Sequence, residues 1–181
     1  TIISLEGGST NLDLGRLQKQ HRRTPFQGVI ATDDSVVEIA AALTERLRLP
    51  GNSVEAVRRT CRKDLLKKAL LNSPVLSPKG FEVGLDRPYE SQILFASYPC
   101  VAKPLTLSAS RGVIRADNSE QLKAALARIW RLIQKEGEDD YPVALVEQFI
   151  SGKEIAVEGL LSDGDLSPLA IFEKPIPLNG P

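Results

Sequence analysis

The fold of this chain is decided by the stretch YPCVAKPLTLSASRG, residues 98–112. Its first part is apolar and predicts a strand that ends at Pro104. Its second part is a run of small residues and predicts a loop. Lys103 is therefore expected inside an apolar strand, directly before a loop whose backbone amides are accessible.

A lysine in that position has two explanations. Its charge is costly to bury unless an anion meets it, and the small residues Ser108, Ser110 and Gly112 would let backbone N–H groups approach phosphate oxygens closely. The alternative is a lysine at a strand edge whose aliphatic stem reaches water. The loop has one glycine, and the chain lacks the stronger signal G-x-x-x-x-G-K-[ST]. The stretch favours a phosphate contact and leaves the solvated lysine open.

Downstream of this stretch the patterns predict one helix and three strands. Asn118 and Gln121 are candidate caps of a helix whose apolar residues recur at helical spacing from 122 to 133. Residues 143–150 form an apolar run interrupted by Glu147 and Gln148. Two alternating strands follow, joined by a predicted hairpin turn at Asp163 and Gly164. The chain is therefore expected to be α+β.

Upstream the patterns are less regular. Residues 1–27 show little periodicity, and residues 28–31 predict a short buried strand. Ser35 and Glu38 predict a capping box for a helix that stops near Pro50. A second helix is predicted from Asn52 through Ala69, and residues 81–83 alternate like a strand. Basic residues cover the polar faces of that second helix: Arg58, Arg59, Arg62, Lys63, Lys67 and Lys68.

Composition excludes several classes of protein. The 181 residues contain 23 Lys and Arg against 23 Asp and Glu, so no net charge draws the chain to nucleic acid or an anionic membrane. No apolar run approaches the roughly 20 residues of a membrane span, and the N-terminus lacks the pattern of a signal peptide. We expect a soluble, cytoplasmic protein with neither a nucleic-acid nor a membrane partner.

The few cysteine and histidine residues argue against zinc. Cys61 and Cys100 lie far apart with no C-x-x-C motif, and His21 is the single histidine. Two packed, reduced thiols are favoured, while a disulfide stays open at this point. The chain has no methionine and ends abruptly at residues 178–181, so we expect it to be a piece of a longer protein.

Three further charged residues are ambiguous when each is considered alone. Glu147 interrupts a buried run, so its carboxylate needs donors from the backbone, from an arginine or from the amino group of a base. Lys63 on a basic helix and Glu154 at the start of a strand are ordinarily solvated charges.

Together these positions form an order that resembles the ATP-grasp superfamily. The order is Lys63, then VAKP at 101–104, the loop at 108–113 and VEQFISGKE at 146–154. The ending IFEKPIPLNGP, residues 171–181, is most similar to the carboxylate–amine ligases that include L-amino-acid ligases and carnosine synthase. The resemblance covers residues from about 28 to the end. It implies the end of a front domain with its linking helix in 1–72, a small lid lobe in 73–146 and the start of a large lobe in 147–181.

The resemblance also implies which residues hold ATP. Lys63 and Lys103 match the lysines that reach the phosphates, and Lys174 falls where some members place another phosphate contact. The loop that folds over the phosphates contributes Ser108, Ser110 and Gly112.

The base and the ribose are expected to bind at residues 147–154. Glu147, with the backbone of Phe149 and Ile150, matches the hinge that meets adenine. Glu154 matches the carboxylate that binds the ribose hydroxyls.

The chemistry implied is phosphorylation of a carboxylate by ATP, followed by attack of an amine on the acyl phosphate. The substrates would be small carboxylates and amines, and amino acids fit best. Mg²⁺ would bridge the phosphates. Its carboxylate ligands and a catalytic arginine are expected beyond Pro181, so the chain would hold no catalytic or metal residue and be inactive alone.

Two other functions stay open. One is an ATP-grasp ligase of another branch, such as a purine-pathway ligase or a biotin-dependent carboxylase, although the latter expects a loop richer in glycine. The other is a noncatalytic nucleotide-binding or interaction module. A homo-oligomer is compatible with each of them.

Overall fold

The computed structural model describes residues 10–137 and 141–174, with side chains from Leu14 onward. The chain divides into two compact units, Thr1–Ser77 and Pro78–Pro181, and each is described by itself. The described part of the chain contains no helix that is both long and apolar enough to cross a membrane. The predicted division at residues 146 and 147 falls inside the second unit and stays a prediction.

The described residues of the first unit form four helices. They are α1 (Thr10–Arg23), α2 (Val37–Leu47), α3 (Val54–Cys61) and α4 (Lys63–Leu70), with a 3₁₀ turn at Asp34–Val36 before α2. The helix α1 was not predicted, because its residues are mostly polar. It packs against α2 and buries Leu14, so tertiary contact supplies the stability that local propensity lacks.

Two expectations near the start of α2 are wrong. Residues 28–31 form no strand, and Ile30 is 89% exposed. Within the described residues no other strand pairs with this run, so its backbone has no ladder to join. Ser35 does not form a capping box either. Instead, the Asp33 carboxylate accepts a bond of 2.9 Å from the Ser35 N–H, and Glu38 binds Arg58 of α3.

The predicted helix from Asn52 to Ala69 is broken at Arg62, and its cap is Ser53, whose hydroxyl accepts from the Ala56 N–H at 3.2 Å. Arg62 has extended backbone angles and donates two bonds to Asp64, at 2.9 and 3.1 Å. Asp64 is 2% exposed. Residues two apart do not face each other on a helix, so Arg62 reaches this buried carboxylate only because the helix breaks.

Both cysteines are free thiols, but only Cys100 is buried as expected. Cys61 is exposed, because it ends α3 directly before the break at Arg62. Burial raises the pKa of the Cys100 thiol, and the negative charge of Asp117 adds to the rise.

The two thiols should therefore differ sharply in reactivity. At mildly alkaline pH a disulfide reagent should titrate Cys61 quickly and reach Cys100 only on unfolding, since the thiolate is the reactive form. The Cys100 thiol ionises at lower pH in the unfolded chain than in the folded one. Its contribution to stability is thus lost as pH rises from the ordinary thiol range through the raised pKa. Equal reaction rates of both thiols in the native protein would contradict this assignment.

The second unit is built on a four-stranded antiparallel sheet. The strands are β1 (Gly80–Gly84), β2 (Cys100–Pro104), β3 (Ile114–Ala116) and β4 (Val143–Gln148), in the order β1-β4-β2-β3. The strands β1, β2 and β4 are confirmed. The strand β3 and the short helix α5 (Glu90–Ile93) were not predicted, since three or four residues carry no readable period.

The long helix α6 (Ser119–Glu136) covers one face of this sheet. Its predicted caps are confirmed: Asn118 accepts from the Gln121 N–H at 3.0 Å, and the Gln121 side chain accepts from the Asp117 N–H at 2.7 Å. The buried side chains of α6 are Leu122, Ala125, Leu126, Ile129 and Ile133. They form one core with Ala102 of β2, Ile114 of β3 and Val146 of β4. The opposite face of the sheet receives every second residue of each strand.

The hairpin of β5 (Ile155–Ser162) and β6 (Asp165–Glu173) is also confirmed. Asp163 and Gly164 both have positive φ, 51° and 90°, as the predicted two-residue turn requires.

Candidate functional site

The face of the sheet opposite α6 carries the charged residues that the strand pattern singled out. Val101 of β2 lies opposite both Glu147 of β4 and Arg115 of β3, and Lys103 lies two residues further along β2. Because alternate residues of a strand share a face, Lys103, Arg115 and Glu147 all belong to this side.

Lys103 and Glu147 form an ion pair between the Lys103 Nζ and the Glu147 Oε2. Their side chains are 24% and 8% exposed. The strand β2 lies between β4 and β3, so a lysine at a strand edge is excluded. The donor to Glu147 is thus a lysine, which the sequence analysis did not name among its possible donors. Pairing satisfies both charges on a face that is partly open to solvent.

Gly80 makes room for this pair, and the sequence analysis missed it. It lies opposite Glu147 in the sheet, and a Cβ at this position would lie 2.5 Å from the Val146 carbonyl oxygen and 2.7 Å from the Glu147 Cγ. A side chain here would displace either β4 or the carboxylate. The available signal was a glycine at the start of a predicted strand, which often marks a close approach.

The loop after β2 folds back on itself in a strained turn. Ala109 and Ser110 both have positive φ, 54° and 58°, and the Arg111 N–H donates to the Ser108 carbonyl at 3.1 Å. Each non-glycine residue in this conformation costs about 1–2 kcal/mol. Gly112 follows with φ of 72°, where a Cβ would lie 3.1 Å from both Leu132 and Pro104. Such strain is typical of functional loops.

The segment after β4 is held by backbone bonds. At the end of β4, the Gln148 N–H donates to the Lys79 carbonyl at 2.8 Å. In the next residue, the Phe149 N–H donates to the Pro99 carbonyl at 3.1 Å. The guanidinium of Arg115 lies 4.4 Å from the centre of the Phe149 ring. The Phe149 amide is therefore occupied. The N–H of Ile150 makes no hydrogen bond to the described residues, so it could donate to a ligand.

Glu154 and Lys174 meet at the open end of the hairpin. The Lys174 Nζ lies 2.6 Å from the Glu154 Oε1, and the Lys174 N–H donates to the Glu154 carbonyl at 3.0 Å. A second pair, Lys153 with Glu173 at 3.0 Å, lies beside it. Both candidate residues are about half exposed and so accessible to a ligand.

Lys63 is the first residue of α4 and is half-buried in the first unit. Lys103 belongs to the second unit. The convergence of these two lysines on one phosphate group stays a prediction.

Metal ligands were expected outside this chain. Across residues 10–137 and 141–174, no three Asp, Glu, His or Cys side chains are grouped so that they could hold a metal ion.

Part of the chain matches a known protein family. Residues 96–179 match the family described as ATP-grasp domain. The match spans β2, the loop, β3, α6, β4 and the hairpin, which hold Lys103, Glu147 and Glu154. Comparison with curated proteins finds no match.

Solved structures give the same fold. The chain is similar to L-amino acid ligase from Bacillus licheniformis, with a TM-score of 0.70 and 24% identity over 92% of this chain and 37% of that one. It is similar to N5-carboxyaminoimidazole ribonucleotide synthetase in complex with ADP, with a TM-score of 0.68 and 16% identity over 95% and 43%. It is also similar to D-Alanine-D-Alanine ligase from Helicobacter pylori, with a TM-score of 0.60 and 20% identity over 78% of this chain and 42% of that one.

The chain spans about two fifths of the length of these three structures. The likeness, at 16–24% identity, is one of fold. Residues 96–179 match the ATP-grasp domain family, and the α+β fold of this chain is similar to a segment of the ATP-grasp fold.

Proposed function

We propose that this chain is the ATP-binding part of an ATP-dependent carboxylate–amine ligase that works through an acyl phosphate and joins amino acids. The observation that carries the proposal is the Lys103–Glu147 pair on the face of the sheet that α6 does not cover, with Lys103 on the strand that leads into the strained loop. The ending at residues 171–181 and the likeness to an L-amino acid ligase support the branch. The site of action would be the cytoplasm.

The ion pair suggests how ATP would be received. Without ligand, the charges of Lys103 and Glu147 neutralise each other. With ATP present, the Lys103 ammonium would donate to phosphate oxygens, and Glu147 would accept from the amino group of adenine. Exchanging one set of charge-assisted bonds for another limits the desolvation cost of binding.

Other residues would orient the nucleotide. The Ile150 N–H and the Phe149 backbone would meet the base edge, and the half-exposed Glu154 would accept from the ribose hydroxyls. The loop residues Ser108, Ser110 and Gly112 would cover the phosphates, and Lys63 and Lys174 would add positive charge.

Magnesium would neutralise phosphate charge when it is bound. Its carboxylate ligands are expected in the part of the fold that this chain does not span, together with the catalytic arginine. The carboxylate and amine substrates would bind there as well.

The chain should accordingly bind ATP without turning it over. Titration calorimetry should detect ATP binding, whereas an assay for Mg²⁺-dependent ADP release should detect none with any amino-acid pair. Turnover would show that the metal site lies within these residues, and lack of ATP binding would refute the proposal. In the longer protein, ATP binding without any ligation would favour the noncatalytic module.

A further inference from the structure

A groove lies between the loop after β2 and the flank of α6. Its volume is about 750 Å³, within the range of small-ligand sites. The loop side contributes residues 110–114, and the helix side contributes Arg128, Arg131, Leu132 and Lys135. Leu132 and Val113 give the groove an apolar floor, and Gly112 lets the loop approach the helix closely.

Four basic residues are among those that line the groove. Arg111 is paired with Glu136 at 2.8 Å. Arg128, Arg131 and Lys135 form no ion pair or hydrogen bond with any residue in the described ranges, and all three are exposed. Their spacing places them on one side of α6, where like charges destabilise a helix.

Position along the helix does not explain this cluster. The helix dipole favours a cation in the last turn and falls off beyond it. Lys135 lies in that turn, but Arg128 lies about two turns earlier. A bound anion would offset the repulsion, and guanidinium groups suit phosphate because they donate two parallel bonds.

The groove is also separate from the proposed nucleotide face. It lies on the side of the sheet that α6 covers, whereas Lys103 and Glu147 lie on the opposite side. The loop supplies residues 110–112 to the groove and follows the strand that carries Lys103.

We propose that this groove is a second anion site, which binds a small phosphate ester with an apolar or ring-shaped body. Arg128, Arg131 and Lys135 would hold the phosphate, and Leu132 and Val113 would contact the body. A ligand in the groove would contact Ser110 and Gly112 and so would bias the conformation of the loop that is proposed to cover ATP. The site itself does not depend on the proposed function.

The test uses phenyl phosphate as the probe and the double variant Arg128→Gln/Arg131→Gln. Titration calorimetry should show that phenyl phosphate binds the unaltered chain and that the double variant binds it roughly tenfold or more weakly. The matched control is Lys123→Gln, which removes a cation from the same helix outside the groove and should leave the affinity unchanged. Phenol, which lacks the phosphate, should bind much more weakly than phenyl phosphate.

Each contrary result overturns the proposal. One such result is that phenyl phosphate does not bind at millimolar concentration. Another is that the double variant and the control lose affinity equally. A third is that phenol binds as tightly as phenyl phosphate. Lys103→Ala separates the two proposals. Phenyl phosphate binding lost in Lys103→Ala but kept in the double variant would place the probe on the nucleotide face. Loss of ATP binding alone in Lys103→Ala leaves the groove proposal standing.

Discussion

Replacing Lys103 with alanine should weaken ATP binding roughly ten- to a hundredfold and leave adenosine binding almost unchanged. The variant removes a charge-assisted contact to phosphate oxygens worth on the order of 1.5–3 kcal/mol. The contacts proposed for the base and ribose, at Glu147 and Glu154, remain. Titration calorimetry with both ligands measures the difference.

The same variant should also lower stability, because it removes the ammonium that pairs with the nearly buried Glu147 carboxylate. Loss of a charge-assisted bond costs on the order of 1.5–3 kcal/mol, so binding is measured where denaturation curves show the variant to be folded. Lys123→Ala, which breaks an exposed pair on α6, should change neither property appreciably. Equal weakening of ATP and adenosine would mean that Lys103 has a structural role only.

Replacing Ile129 with alanine should destabilise the second unit by about 2–5 kcal/mol. Ile129 is fully buried in α6, within the core on the side of the sheet opposite Lys103. A loss of this size is a large part of the 5–15 kcal/mol typical of a domain and should lower the Tm by roughly 10 °C or more. Urea or thermal denaturation measures it.

The matched control is Gln134→Ala on the exposed side of α6, where helix propensity changes little. Its stability should stay within about 0.5 kcal/mol of the unaltered chain. At low temperature, folded Ile129→Ala should still distinguish ATP from adenosine, since Ile129 lies on the other side of the sheet from Lys103. A loss of that distinction in folded protein would show that the two faces are not independent.

Local patterns determined much of the second unit. The caps and apolar spacing of α6, the strands β2 and β4, and the turn at Asp163 and Gly164 were all readable. Each of these signals depends on residues within a few positions of one another, and their order along the chain pointed to the ATP-grasp fold. The order also singled out Lys103 and Glu147 as separate candidates.

Only the tertiary structure decided how those residues combine. The pairing of Lys103 with Glu147 follows from the register of β2 on β4, and the break at Arg62 brings its guanidinium to the buried Asp64. The role of Gly80 and the basic groove beside α6 depend in the same way on elements that are distant in the chain. The sequence determines which segments can form strands and helices, because those preferences are local. Which charges meet is decided by packing and register, since both bring together residues that no local pattern relates.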